Sequence, residues 1–210
     1  MEALSKKIAA RIAMNLGKTE EEEKVIAYGL LGLIQLLIQA VLLLSVGYSF
    51  KILGPIIFLS LSISLLRAFS GGAHAKSINF CTLFSLFYAG LMAKIATILS
   101  LKPAFTLPAI STAFIIFPIS LSIIHKKAPV ASANKPISPK KSIRMHKYSI
   151  YILVFYSLLY TILVALGLKD NLYLKYAYSL KFGLIWQVFT LTDLGAKFVE
   201  GLNNIFHKQR

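Results

Sequence analysis

From Val25 to Phe50 the chain runs 26 residues without one charged side chain, through Leu30-Leu31, Leu36-Leu37 and Leu42-Leu43-Leu44. About 20 residues suffice for a helix to cross a bilayer. In hydrocarbon the backbone must satisfy its own hydrogen bonds, so such a run is restricted to a helix unless it belongs to a closed barrel. Similar runs recur along the chain, 57% of whose residues are apolar and only 15% charged, against a usual charged share of about 25% in soluble domains. The fold class is therefore all-α, a polytopic integral membrane protein.

Six membrane helices are predicted within one membrane domain, 1–210: residues 25–50, 52–70, 77–101, 103–124, 148–168 and 171–192. The second is short, with Lys51 and Arg67 free to snorkel and Gly71 as its C-terminal stop. The sixth holds Lys175 near one end and Lys181 near its middle. A cation at that depth is expensive and normally faces a protein interior or a wet cavity, so Lys181 is expected to line a substrate cavity or a subunit contact, or else to mark a misplaced span. Ahead of the first span, Leu4, Ile8, Ile12 and Leu16 recur at spacing four, the pattern of an amphipathic helix lying on the membrane surface. Glu20 to Glu23 read as a solvated linker. The first 24 residues show no signal-peptide core or cleavage pattern, so the first span is expected to target the chain.

Positive charge sets the orientation. With the N-terminus inside, 17 of the 23 lysines and arginines fall on the inner side and three in the outer connections, with Lys94, Lys175 and Lys181 inside spans. Both termini, the 67–81 region and a basic loop at 125–147 are thus expected to face the cytoplasm.

The break between the second and third spans reads Arg67-Ala-Phe-Ser-Gly71-Gly72-Ala-His74-Ala-Lys-Ser-Ile-Asn-Phe-Cys81 and contains the chain's single cysteine. A lone cysteine excludes an internal disulfide framework and leaves either a buried filler or a reagent. On one continuous helix His74 and Cys81 would be about 10 Å apart in rise, too far for the hydrogen bond of about 2.6 to 3.2 Å that a thiol and its base need. A nucleophilic site therefore requires the chain to fold back at Gly71-Gly72, where glycine tolerates positive φ. Ser77 is a candidate N-cap for the third helix, which would leave His74 in the loop before it. An imidazolium and a helix N-terminus both favour a thiolate. Arg67 is by default a snorkelling anchor; alternatively it holds a substrate carboxylate or peptide carbonyl. No acidic residue is near in sequence to orient His74, leaving Asn79 or a backbone carbonyl. His74, Cys81, His125 and His146 lack metal-ligand spacing, so neither metal nor cofactor is expected.

These residues resemble the AgrB family, membrane peptidases of bacterial quorum sensing that process the AgrD propeptide. The match is Arg67-x-x-x-Gly71-Gly72-x-His74 with Cys81 seven residues on, continued by His125-Lys126-Lys127-Ala128-Pro129-Val130 and Asn134-Lys135-Pro136-Ile137. The resemblance covers essentially the whole chain. It implies that Cys81 is the nucleophile and His74 the general base, with Arg67 and Gly72 at positions the family needs. It further implies cleavage of the propeptide on the cytoplasmic side, a thioester on the cysteine, and ring closure by the propeptide's own cysteine, or by a serine to give a lactone.

The expected partners are an AgrD-like propeptide, membrane lipids and, by resemblance, a second copy in a homodimer; nucleic acid is not expected. The seven basic residues of the 125–147 loop anchor it to anionic lipid, and Lys126 and Lys127 are candidates for attracting an acidic substrate tail. Competing readings are a small peptide transporter or exporter, suggested by Lys94 and Lys181 within spans, and a non-catalytic scaffold.

Overall fold

The computed structural model describes residues 2–73, 78–102, 104, 106–130 and 138–207. Among them are eight helices: α1 (Glu2–Asn15), α2 (Glu20–Ser49), α3 (Leu53–Ser70), α4 (Ile78–Ser100), α5 (Thr106–Lys127), α6 (Pro139–Gly167), α7 (Leu174–Phe189) and α8 (Asp193–His207). Five of them, α2 through α6, contain stretches long and apolar enough to cross a membrane. The protein is an all-α multi-pass membrane protein, and its chain contacts divide into two compact units, Met1–Ser45 and Val46–Arg210.

In the first unit, α1 closes where Gly17 turns to φ +61° and Lys18 N–H donates to Ala13 O at 2.9 Å. Of the expected stripe, Leu4 and Leu16 are 52% and 65% exposed, whereas Ile8 and Ile12 are half-buried. The glutamates expected in a linker instead form the first turn of α2. Thr19 and Glu22 make a reciprocal capping box, with Thr19 N–H on Glu22 Oε2 at 3.0 Å and Glu22 N–H on Thr19 Oγ1 at 3.3 Å. Four carboxylates beside free N–H groups are well placed against the helix dipole.

The second unit is built around α7, which packs against α3, α4, α5 and α6. Its sixteen residues rise about 24 Å, short of a hydrocarbon core of about 30 Å. Ten of those sixteen are buried, so α7 is mainly covered by protein. Gly183 makes this possible, because a Cβ there would stand 3.0 Å from both Leu59 O and Ser62 Cβ of α3. Tyrosines brace the bundle through backbone carbonyls: Tyr156 to Ser62 O at 2.7 Å, Tyr160 to Ala109 O at 2.7 Å and Tyr88 to Phe182 O at 2.9 Å. Each joins two helices and leaves no hydroxyl idle in an apolar interior.

α6 starts at Pro139, nine residues before the expected span, so part of the basic loop is helix. Proline at the start of a helix lacks only a hydrogen bond the first turn never makes, and Lys140, Lys141 and Arg144 are compatible with a helix emerging from the apolar layer. Beyond the expected sixth span, Asp193–His207 form α8.

Gly183→Leu should wedge α3 from α7 and cost about 1–3 kcal/mol, the usual range for overpacking, which a thermal unfolding series in detergent would read as a lowered midpoint.

Candidate functional site

α3 ends at Ser70 because Gly71 adopts φ +68°, where a β-carbon is disfavoured. Its N–H still donates to Arg67 O at 3.0 Å. Gly72 follows at φ +133°. The α3 helix therefore does not run through to α4, which meets the condition for a fold-back between Arg67 and Cys81. His74 and the expected cap Ser77 lie outside the described residues, as does the side chain of Asn79.

Three neighbours hold this turn. From the segment after α5, Val130 N–H donates to Ser70 O at 2.9 Å, and Gly71 and Val130 form an isolated parallel bridge. The approach is so close that a Cβ on Gly71 would stand 2.2 Å from Val130 O. From the end of α7, Thr190 O accepts from Ala73 N–H at 3.0 Å, and a Cβ on Gly72 would stand 2.7 Å from Thr190 Oγ1. Also from α7, Gln187 Nε2 donates to Gly71 O at 2.7 Å and to Ser70 Oγ at 3.0 Å.

Arg67 is partly buried and turned inward, and its Nη2 donates to Ala73 O. Instead of acting only as a snorkelling anchor, it ties the turn to the last turn of α3. Cys81 is a free thiol, partly buried, three residues after the first residue of α4, where the helix dipole favours negative charge. Next to it along α4, Phe84 meets Trp186 of α7 with ring centroids 5.4 Å apart and Phe198 of α8 at 6.2 Å, so aromatic contacts hold α4, α7 and α8 together on the thiol side.

Lys127, in the last turn of α5, pairs with Asp193 in the first turn of α8 at 2.9 Å. The Lys127 ammonium, by hydrogen bond first and then by charge, holds the Asp193 carboxyl below its usual value. A lowered folded value means that the pair contributes above the ordinary carboxylate range and is lost as pH falls through it. Lys126 is exposed and makes no ion pair among the described residues. His146 Nδ1 lies 2.9 Å from Ala128 O; a carbonyl only accepts, so that nitrogen carries the proton.

Lys181 takes no part in this cluster. It is 5% exposed, donates to Thr112 Oγ1 of α5 at 2.9 Å and lies 4.4 Å from the centre of the Tyr178 ring. Its cation is accommodated inside the bundle, about 9 Å along α7 from Gln187.

Sequence reasoning singled out Arg67, Gly71, Gly72 and Cys81 and quoted Val130 only within the family match, but gave no role to Val130, Ser70, Gln187 or Thr190. The available signal was Gln187, an amide in an otherwise apolar stretch, whose cost in a membrane asks for a partner.

The family model described as AgrB, Accessory gene regulator B, matches residues 5–191. AgrB-like protein 2 of Clostridium perfringens strain 13 is 34% identical, with 99% of each chain covered. An AgrB-like protein of Clostridium perfringens strain SM101 is 33% identical over the same share of each. No solved structure matches the chain.

Gly71→Ala combines positive φ with a clash against Val130 O. Strain of about 1–3 kcal/mol should loosen the contact, visible as faster hydrogen exchange at the Val130 amide.

Proposed function

The chain belongs to the AgrB family, and on that premise we propose that it is a membrane cysteine endopeptidase that cuts an AgrD-like propeptide and closes the retained part into a ring. The observation that carries this reading is the docked Gly71-Gly72 turn. It ends α3 at Ser70, so that Arg67, tied to Ala73 O, and Cys81 stand on two different helices on either side of the break.

In the proposed reaction His74 takes the Cys81 thiol proton, and the sulfur attacks the carbonyl carbon of the scissile peptide bond. The tetrahedral intermediate collapses, the C–N bond breaks, and the imidazolium returns the proton to the departing amine. The C-terminal fragment leaves and the remainder is held as a thioester. The propeptide's own cysteine then attacks that thioester, a thiolactone forms, and Cys81 regains its proton; a serine in that place would give a lactone. Exchange of one thioester for another conserves the acyl activation that hydrolysis would discard, so excluding water from the thiol favours ring closure.

The site and both termini face the cytoplasm of the bacterial cell membrane in this reading, in keeping with the excess of basic residues assigned to that side, and the working unit is a homodimer. Lys126, unpaired at the end of α5, is the better candidate than Lys127 for attracting an acidic substrate tail, because Lys127 already neutralises Asp193.

Mass spectrometry of the full-length protein mixed with candidate propeptide should show an acyl adduct on Cys81 that is absent in Cys81→Ala. Processing that persists in Cys81→Ala would refute the proposal, and a transporter would retain its flux. Lys126→Gln should slow cleavage and flatten its salt dependence more than Lys127→Gln does; equal, salt-independent rates would remove the tail-binding role.

A further inference from the structure

Cys81, Phe84 and Tyr88 stand at i, i+3 and i+7 of α4 and so share one face of that helix. Long side chains on a helix lean back toward its N-terminus, so the Phe84 ring covers the turn that holds Cys81. That ring is one corner of a wall built from three helices. The Trp186 ring of α7 lies 5.4 Å from Phe84 and 4.6 Å from Tyr88, centre to centre. Phe198 of α8 lies 6.2 Å from Phe84 and 6.4 Å from Trp186, and Phe189 of α7 backs it at 5.8 Å. The Tyr88 hydroxyl is engaged on Phe182 O at 2.9 Å and no member of the wall carries a charge, so what it offers a ligand is ring surface.

Aromatic side chains that serve only packing are sealed in the bundle. Tyr156 and Tyr160 fit that description, each 2% exposed. The wall beside the thiol is open: Phe198 is 43% exposed, and Phe84 and Trp186 are half-buried. Its outer ring is nevertheless fixed. Lys127 holds Asp193 at the start of α8 at 2.9 Å, and Gly195 approaches α7 so closely that a β-carbon there would collide with Phe189 O. Phe198 follows one turn later. An apolar surface that is open, fixed and next to a nucleophile has the properties of a binding subsite.

We propose that Phe84, Trp186 and Phe198 form the subsite for the substrate side chain on the acyl side of the cut, and that they select a large apolar or aromatic residue there. The inference rests on the peptidase reading and adds what chooses the bond to be cut. When the carbonyl carbon of that residue is joined to the Cys81 sulfur, its α-carbon is two bonds from the sulfur. Its side chain then reaches no surface beyond the one around Cys81, and the Phe84 ring covers that turn. A large apolar side chain removes ring surface from water or lipid head groups as the thioester forms, whereas a short polar one leaves it open.

The test needs no substrate. Iodoacetamide and N-benzyl iodoacetamide carry the same reacting group, but the second places an aromatic ring a few bonds from the sulfur, as an aromatic acyl residue would. The ratio of their rates at Cys81 is measured in the full-length protein, all variants in the same detergent. Phe198→Ala and, independently, Phe84→Leu should each lower the ratio of benzyl to plain reagent about two- to tenfold, the range for one aromatic pair. Phe198→Tyr keeps the ring and should restore it, while Leu194→Ala, exposed on the same helix but outside the wall, should leave it unchanged. A wild-type ratio in both Phe198→Ala and Phe84→Leu overturns the inference, as does an equal slowing with both reagents. If phosphatidylglycerol added to the wild type lowers the ratio to that of Phe198→Ala, lipid is the occupant and the inference is equally overturned. The adduct experiment separates the two levels. An acyl adduct that forms equally fast from propeptides with phenylalanine or asparagine before the cut removes only the subsite, whereas no adduct from any propeptide removes the peptidase reading and the subsite with it.

Discussion

Everything in the second unit depends on one requirement: polar groups carried into an apolar bundle must find partners within the chain. α7 is where that requirement is concentrated. It brings Lys181 and Gln187 into the interior, where Thr112 of α5 accepts from the lysine and the end of α3 accepts from the amide nitrogen. Because the Gly71 carbonyl is exposed by the end of a helix, it is free to receive that amide. The same interaction that accommodates Gln187 thus fixes where the chain leaves α3.

The cluster at the helix ends follows from this. Arg67 closes the turn from the α3 side through Ala73 O, Thr190 from the α7 side, and Val130 from the segment after α5. Both glycines are needed for contact as well as for φ, since a β-carbon at either would collide with a neighbour. The basic residues divide accordingly: Arg67 is committed to the turn, Lys127 to Asp193 and Lys181 to the bundle interior, while Lys126 stays exposed.

Much of this was legible in the sequence. Charge-free runs longer than a bilayer is thick leave the backbone few choices, so the apolar helices were readable, and the distance between His74 and Cys81 on a continuous helix demanded a break where the paired glycines stand. Other features were not. Hydropathy reports that 171–192 is apolar but not whether lipid or protein covers it, so the burial of α7 was hidden. The basic stretch before Tyr148 reads as a loop by charge, although lysine and arginine are good helix formers. Gln187 was passed over in the sequence: its partners, Ser70 and Gly71, lie more than a hundred residues away, and only the tertiary fold joins them. His74 lies outside the described residues.

The unequal lengths of the helices have a mechanical consequence. Within the second unit α3, which ends at the turn, has 18 residues and rises about 27 Å, short of a hydrocarbon core of about 30 Å, whereas α6 has 29 residues and α7 is mainly covered by protein. A bilayer thins beside the short α3. The mismatch works as a spring whose rest length is set by the acyl chains. Lipid composition thereby gains leverage over how deeply the α3–α4 break sits and how readily water reaches Cys81.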